Sequence, residues 1–128
     1  MELTAIVTAL ALIEYLILGV RVGQARGQFS VEAPATTGHP VFERHFRVHQ
    51  NTLEQLIVFV PALWLFAYYV SNGMAAVLGL VFIVARALYA RGYVADPKQR
   101  ETGALLTAIT SAVLLLGGLI GAAVHLFR

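Results

Sequence analysis

Four apolar stretches alternate with polar segments along the chain: Leu3 to Val20, Leu53 to Val70, Met74 to Tyr89 and Gly103 to Phe127. Crossing a hydrocarbon core takes about 20 helical residues, and the second and third stretches approach that length once their amphipathic ends are included. The pattern predicts four transmembrane helices in an all-α integral membrane bundle. The first stretch opens on Met1-Glu2 rather than a basic segment, and Glu14 interrupts it, so it reads as a retained span and not a cleaved signal. Gly23 to Pro40 contains Gly, Ser, two Thr and two Pro and is expected to be an ordered or semi-ordered loop. Ser71-Asn72-Gly73 reads as a tight turn that makes the second and third helices an antiparallel hairpin. Val94 to Glu101 joins the third helix to the fourth. There Asp96-Pro97 is an N-cap followed by a first-turn proline, so the fourth helix should start near Pro97 with Arg100 in its first turn. Pro61 should kink the second helix by freeing the carbonyl of Ile57.

Composition agrees with a bilayer environment. Of 128 residues, 59% are hydrophobic and 12% charged, against about a quarter charged in soluble domains, and the mean hydropathy is +0.75. The length suits a single domain spanning 1–128, whose helices are expected to bury polar faces against copies of the same chain. The absence of cysteine excludes a disulfide framework and any Cys-based metal site or nucleophile; a thiol used in chemistry must be imported. The net charge of +2 arises from Lys and Arg scattered at helix ends, which argues against a nucleic-acid partner. Arg21, Arg26, Arg44, Arg47, Arg91, Lys98 and Arg100 flank the first and third connections. The positive-inside rule therefore puts those connections in the cytoplasm and both termini on the opposite side. Trp64, Tyr68 and Tyr69 suit either an aromatic belt or, for Trp64, packing within the bundle. His39 and His45 read as solvated interfacial residues, and His125 has no second ligand at metal spacing, so no metal is assigned.

The candidate chemistry begins in Glu43-Arg44-His45-Phe46-Arg47-Val48-His49-Gln50-Asn51-Thr52-Leu53-Glu54. At 100° per residue, Arg44, Arg47, Asn51 and Glu54 fall within an arc of roughly 80°, and on the third helix Arg86, Tyr89 and Tyr93 share an arc of roughly 60°. Ionisable groups in or at the edge of a bilayer cost several kcal/mol unless partnered, so they mark an ion pair or a site. For Glu54 and Arg86 the plain structural reading is a salt bridge between the two helices, and Glu14 is expected to hydrogen-bond across the bundle. Arg47 and Asn51, on one face with Glu54 and beside a tyrosine pair, suit a small zwitterionic ligand: Arg forks bind carboxylates, and Glu binds an ammonium.

At Thr36-Thr37-Gly38, Phe42-Glu43-Arg44, Arg47-x-x-x-Asn51-x-x-Glu54 and Arg86-x-x-Tyr89-x-x-x-Tyr93 followed by Arg100, the chain resembles the membrane-associated proteins in eicosanoid and glutathione metabolism (MAPEG). The likeness runs over nearly the whole length, and the chain resembles members of the leukotriene C synthase and microsomal glutathione transferase type. It implies a four-helix subunit in a homotrimer, with glutathione as co-substrate between neighbouring subunits and a lipophilic electrophile or lipid hydroperoxide entering from membrane lipid. By position, Arg47, Asn51, Glu54, Tyr89 and Tyr93 match glutathione contacts, Arg26 matches a contact from the neighbouring subunit, and His49 stands where members carry His or Gln. Arg100 would hold the sulfur as the catalytic residue. Glutathione has two carboxylates, one ammonium and one thiol, and these side chains supply partners for each. Gly27 and Gln55 depart from the leukotriene C synthase pattern. Gln50 and Thr52 around Asn51 depart from the prostaglandin isomerases.

The leading reading is thus a glutathione-dependent transferase, with peroxidase activity open because both reactions use the same thiolate. A non-catalytic scaffold resembling the lipoxygenase-activating member of the family is the alternative. A small multidrug-type transporter coupled through Glu14 is a third reading, which leaves the Arg47 to Glu54 face unexplained. Gly117-x-x-x-Gly121, Gly118, Ser111 and Ala112 allow close helix approach, either inside a subunit or at a trimer seam.

Overall fold

A computed structural model describes all 128 residues, and it is entirely helical. The elements are α1 (Glu2–Phe29), α2 (Pro40–Tyr69), α3 (Asn72–Ala95), a 3-10 turn (Pro97–Arg100) and α4 (Glu101–Leu126). All four helices are long and apolar enough to span a membrane. Only 22% to 39% of each helix's most apolar window is buried, so most of that apolar surface faces outward, as lipid solvation requires. The protein is a multi-pass integral membrane bundle.

Helix boundaries differ from the sequence reading at three places. The segment after the first span is not a loop from Gly23, because α1 runs on to Phe29 and carries Arg26 in its last turn. Gly23 and Gly27 are tolerated in a helix whose exposed side meets nothing there. Ser71-Asn72-Gly73 is not itself the turn: Ser71 caps α3 by accepting a hydrogen bond from the Met74 amide at 3.2 Å, and Asn72 and Gly73 are already helical. Asp96 does cap the following segment, accepting from the Lys98 amide at 3.1 Å, but Pro97–Arg100 forms a 3-10 turn and α4 proper begins at Glu101.

The core lies at mid-bundle, where Phe59 stacks on Phe82 with ring centroids 3.7 Å apart among Val7, Ala11, Leu56, Leu63, Phe66 and Leu114. Trp64 packs within the bundle, its indole N–H donating to Thr8 Oγ1 at 3.0 Å. The glycines of α4 and Ser111 serve the subunit interior, while Ala112 is exposed. A Cβ on Gly117 would run into the Phe66 ring, and one on Gly118 or Gly121 would lie 2.9 Å from the Cβ of Leu65 or Tyr69. This stripe seats α4 on α2 and leaves no glycine ridge free for another copy. At the far end Thr4 Oγ1 donates to Asn72 Oδ1 at 2.6 Å, tying the start of α1 to the start of α3. His39 is not a solvated bystander: its ring stacks on Phe29 at 3.9 Å, and Nδ1 accepts from the Val41 amide at the head of α2.

Candidate functional site

At the end of the bundle where α2 begins, α3 ends and α4 begins, the three helices surround a recess of about 420 Å³. Arg47, Asn51 and Gln55 descend one face of α2; Arg86, Tyr89 and Tyr93 face them from α3; Arg100, Ala104, Thr107 and Ala108 close it from the 3-10 turn and α4. Each set repeats at three- and four-residue steps, the spacing that stacks side chains on one helix face. Helix α1 contributes none of the lining.

Two close backbone approaches create this geometry. Gly103 packs so tightly on α3 that a Cβ there would overlap the Tyr89 backbone and lie 2.8 Å from the Ala85 carbonyl oxygen. Gly92 lies under the 3-10 turn, where a Cβ would come 2.5 Å from the Gln99 carbonyl oxygen. Together they bring Arg100 over the tyrosines. Arg44 holds the same end from the other side, donating to the Val94 carbonyl at 3.2 Å, where a cation also complements the C-terminus of α3.

The floor is Arg86, 1% exposed. Its Nη2 donates to Asn51 Oδ1 at 2.7 Å and Thr52 Oγ1 at 2.9 Å, and its Nη1 reaches Thr107 Oγ1 at 3.5 Å. Both threonine hydroxyls give their own proton to the carbonyl four residues back, Val48 and Gly103, which leaves lone pairs turned toward the guanidinium. The Arg86 Cζ lies 4.2 Å from the Tyr89 ring centroid, and Tyr89 stacks on Tyr93 at 5.6 Å. The salt bridge expected between Glu54 and Arg86 is absent. Glu54 lies two turns along α2 from Arg47 and pairs with it at 3.1 Å, with both side chains about half exposed at the rim. Arg86 is instead solvated by hydroxyls and an amide.

Glu14 does not hydrogen-bond across the bundle as expected: its Oε1 is buried without a partner, as is Arg86 Nε. Parallel helices α1 and α3 bring Val7 against Gly79, and seven residues further along each, two full turns, stand Glu14 and Arg86. The two groups therefore lie at one level on neighbouring helices, and each feels the charge of the other.

Of the residues expected from the sequence, Arg47, Asn51, Tyr89, Tyr93 and Arg100 share this recess, and Glu54 joins them through Arg47. Arg100 Nη1 donates to its own turn at Pro97 O, 3.0 Å. Arg26 lies apart within the chain, donating to the Ala35 carbonyl at 2.6 Å with its guanidinium 4.7 Å from the Phe42 ring centroid. His49 turns toward α1, stacked on Tyr15 at 4.3 Å and against Gly19, because two residues of helix rotate it away from Arg47 and Asn51. Thr107, Ala104 and Ala108 escaped the sequence reading. Their signal is a run of small residues four apart after Arg100, which inside an apolar span resembles ordinary packing.

The chain is thus a bundle of four spanning helices whose recess is lined by three arginines and two tyrosines and by no carboxylate, an arrangement that offers cations and hydrogen-bond donors to a polar anionic group. A profile described as the MAPEG family matches residues 4–120, and the chain belongs to that family. It is 47% identical over 116 residues to an uncharacterized protein of Synechocystis, covering 91% of this chain and 85% of that one. To the human microsomal glutathione S-transferase 2 it is 40% identical, covering 94% of this chain and 82% of the relative. To the mouse leukotriene C4 synthase it is 32% identical, covering 96% and 82%.

Proposed function

We propose that this protein is a glutathione-dependent membrane transferase that joins the glutathione thiolate to lipophilic electrophiles, and that the same thiolate reduces lipid hydroperoxides. The observation that carries the reading is the charge of the recess: Arg47, Arg86 and Arg100 line it without a carboxylate, and Glu54 stands at its rim on Arg47. Glutathione in its thiolate form presents two carboxylates and a sulfur anion to such cations and one ammonium to a rim carboxylate. Its relatives' names, glutathione S-transferase and leukotriene C4 synthase, agree with that chemistry.

In this reading Arg47 forks a carboxylate, Glu54 takes the ammonium, and Asn51, Tyr89 and Tyr93 hold the remaining polar atoms. Asn51 arrives oriented, since Arg86 engages its side-chain oxygen and leaves the NH2 to point elsewhere. Arg100 holds the sulfur, and a cation there lowers the thiol pKa from about 8.5 so that the nucleophile is populated at neutral pH. In conjugation a sulfur–carbon bond forms as the leaving group departs with its electron pair, or as an epoxide oxygen takes up a proton. In peroxide reduction the sulfur attacks the O–O bond, and a second glutathione completes the balance to disulfide, alcohol and water. We assign the working form to a homotrimer in which Arg26 of a neighbouring copy closes the recess on the side α1 leaves open. His49 is left outside this assignment.

The test is turnover of a generic aryl halide and of a lipid hydroperoxide by detergent-purified protein, with and without glutathione, alongside the thiolate absorbance of bound glutathione. Glutathione-dependent turnover is expected. Lipid binding with neither glutathione binding nor turnover would replace this reading with the non-catalytic scaffold.

A further inference from the structure

On the other side of α3 from the recess, α1, α2 and α3 enclose a second cleft of about 510 Å³ at the same end of the bundle. Seven of its ten lining residues are apolar, and the other three are Arg21 on α1, His45 on α2 and Arg91 on α3. No carboxylate lines it. Both ion pairs of the chain, Met1 with Glu2 and Arg47 with Glu54, lie elsewhere, so the two arginines are without anionic partners. Ala87 and Ala90 keep the α3 wall low, while Ile17, Leu18, Val48 and Val94 supply an apolar lining.

We propose that this cleft is a binding site for an anionic diacyl phospholipid, with the headgroup phosphate held between Arg21 and Arg91 beside His45 and one acyl chain lying in the cleft. Basic pockets between transmembrane helices attract anionic headgroups, and each Lys or Arg near the surface contributes. The geometry favours a phosphate over a fatty-acid carboxylate. Arg21 and Arg91 belong to different helices and exposed rims, and a tetrahedral phosphate presents oxygens in several directions where a planar carboxylate satisfies one fork. The bound lipid would bridge α1 to α3 at the end where the recess is built, without entering the recess. The site depends on the membrane placement of the bundle and not on the glutathione reading.

The experiment is a titration of delipidated, detergent-purified protein with dioleoyl phosphatidylglycerol, dioleoyl phosphatidylcholine or oleate, with the bound fraction read by native mass spectrometry. Phosphatidylglycerol should saturate one site per chain at a concentration about tenfold or more below phosphatidylcholine and below oleate. Arg21→Gln and Arg91→Gln should each weaken it about fivefold. Lys98→Ala, at an exposed cation of the same end that does not line the cleft, should leave it unchanged. Because the two glutamine variants act at exposed rims, thermal unfolding in lipid-free detergent should match the wild type and exclude a folding defect. Equal affinity for the two phospholipids, tighter binding of oleate, or an equal loss from Lys98→Ala would each overturn the proposal. So would a lipid that binds dissociated chains but not the assembled oligomer, since the cleft would then be a seam between copies.

Discussion

Glu14 and Arg86 offer a quantitative test of the electrostatics behind the recess. Each has a buried polar atom without a hydrogen-bond partner, and their helices bring them to the same level. They form no ion pair, so their charges lie beyond 4.0 Å. At an effective dielectric constant of about 20, unit charges attract by about 4 kcal/mol at 4 Å and about 2 kcal/mol at twice that distance. Arg86→Met removes two short charge-assisted bonds, to Asn51 and Thr52, and leaves Glu14 facing no cation, at a cost of roughly 3 to 5 kcal/mol. Glu14→Gln alone should cost roughly 1 to 3 kcal/mol, because the guanidinium keeps its hydroxyl and amide partners. The double variant should be less damaged than the sum of the two by about 1 to 3 kcal/mol. The assay is unfolding of all four proteins in mixed detergent, followed by helical circular dichroism against the mole fraction of SDS. Additivity within about 0.5 kcal/mol would refute the coupling and leave Glu14 as an isolated buried carboxyl.

Arg100→Ala should still bind glutathione but return the thiol pKa toward about 8.5, so turnover lost at neutral pH should recover as pH rises. Arg47→Ala should instead weaken binding by roughly 1.5 to 3 kcal/mol, about ten- to a hundredfold in Kd, with little recovery in alkali; thiolate absorbance titrated with pH separates the two, and an unchanged thiolate fraction in Arg100→Ala would remove that residue from its role. Gly103→Ala should lower thermal stability by about 1 to 3 kcal/mol and weaken glutathione binding, whereas Gly23→Ala, with open space at its Cβ, should raise stability by about 0.5 to 1 kcal/mol. A cysteine introduced at Asn72 should react with an impermeant thiol reagent from outside intact cells and one at Gln99 should not; the reverse labelling would invert the placement of the recess. Native mass spectrometry should count three chains, and only monomers or dimers would overturn the trimer.

Lipid is a solvent that leaves the backbone few alternatives, so hydropathy alone determined four helices and their order in this chain. Local chemistry was equally legible where a cap is made by neighbours in sequence, as at Asp96 and Pro97. The periodic face of Arg47, Asn51 and Glu54, and that of Arg86, Tyr89 and Tyr93, followed from helix geometry before any packing was known. What the pattern could not supply was which faces meet. Gly23 and Gly103 look alike as helical glycines, yet one borders empty space and the other presses on the Tyr89 backbone; only the approach of α4 to α3 distinguishes them. Glu54 and Arg86 looked like a natural pair, but residue spacing carries no distance between helices: Glu54 pairs with Arg47 of its own helix, and packing gave Arg86 to two threonines and an asparagine. Thr107 joined the recess for the same reason. A side chain's partners across a bundle depend on the rotation and depth of each helix, which are set by the summed contacts of many weakly informative apolar residues.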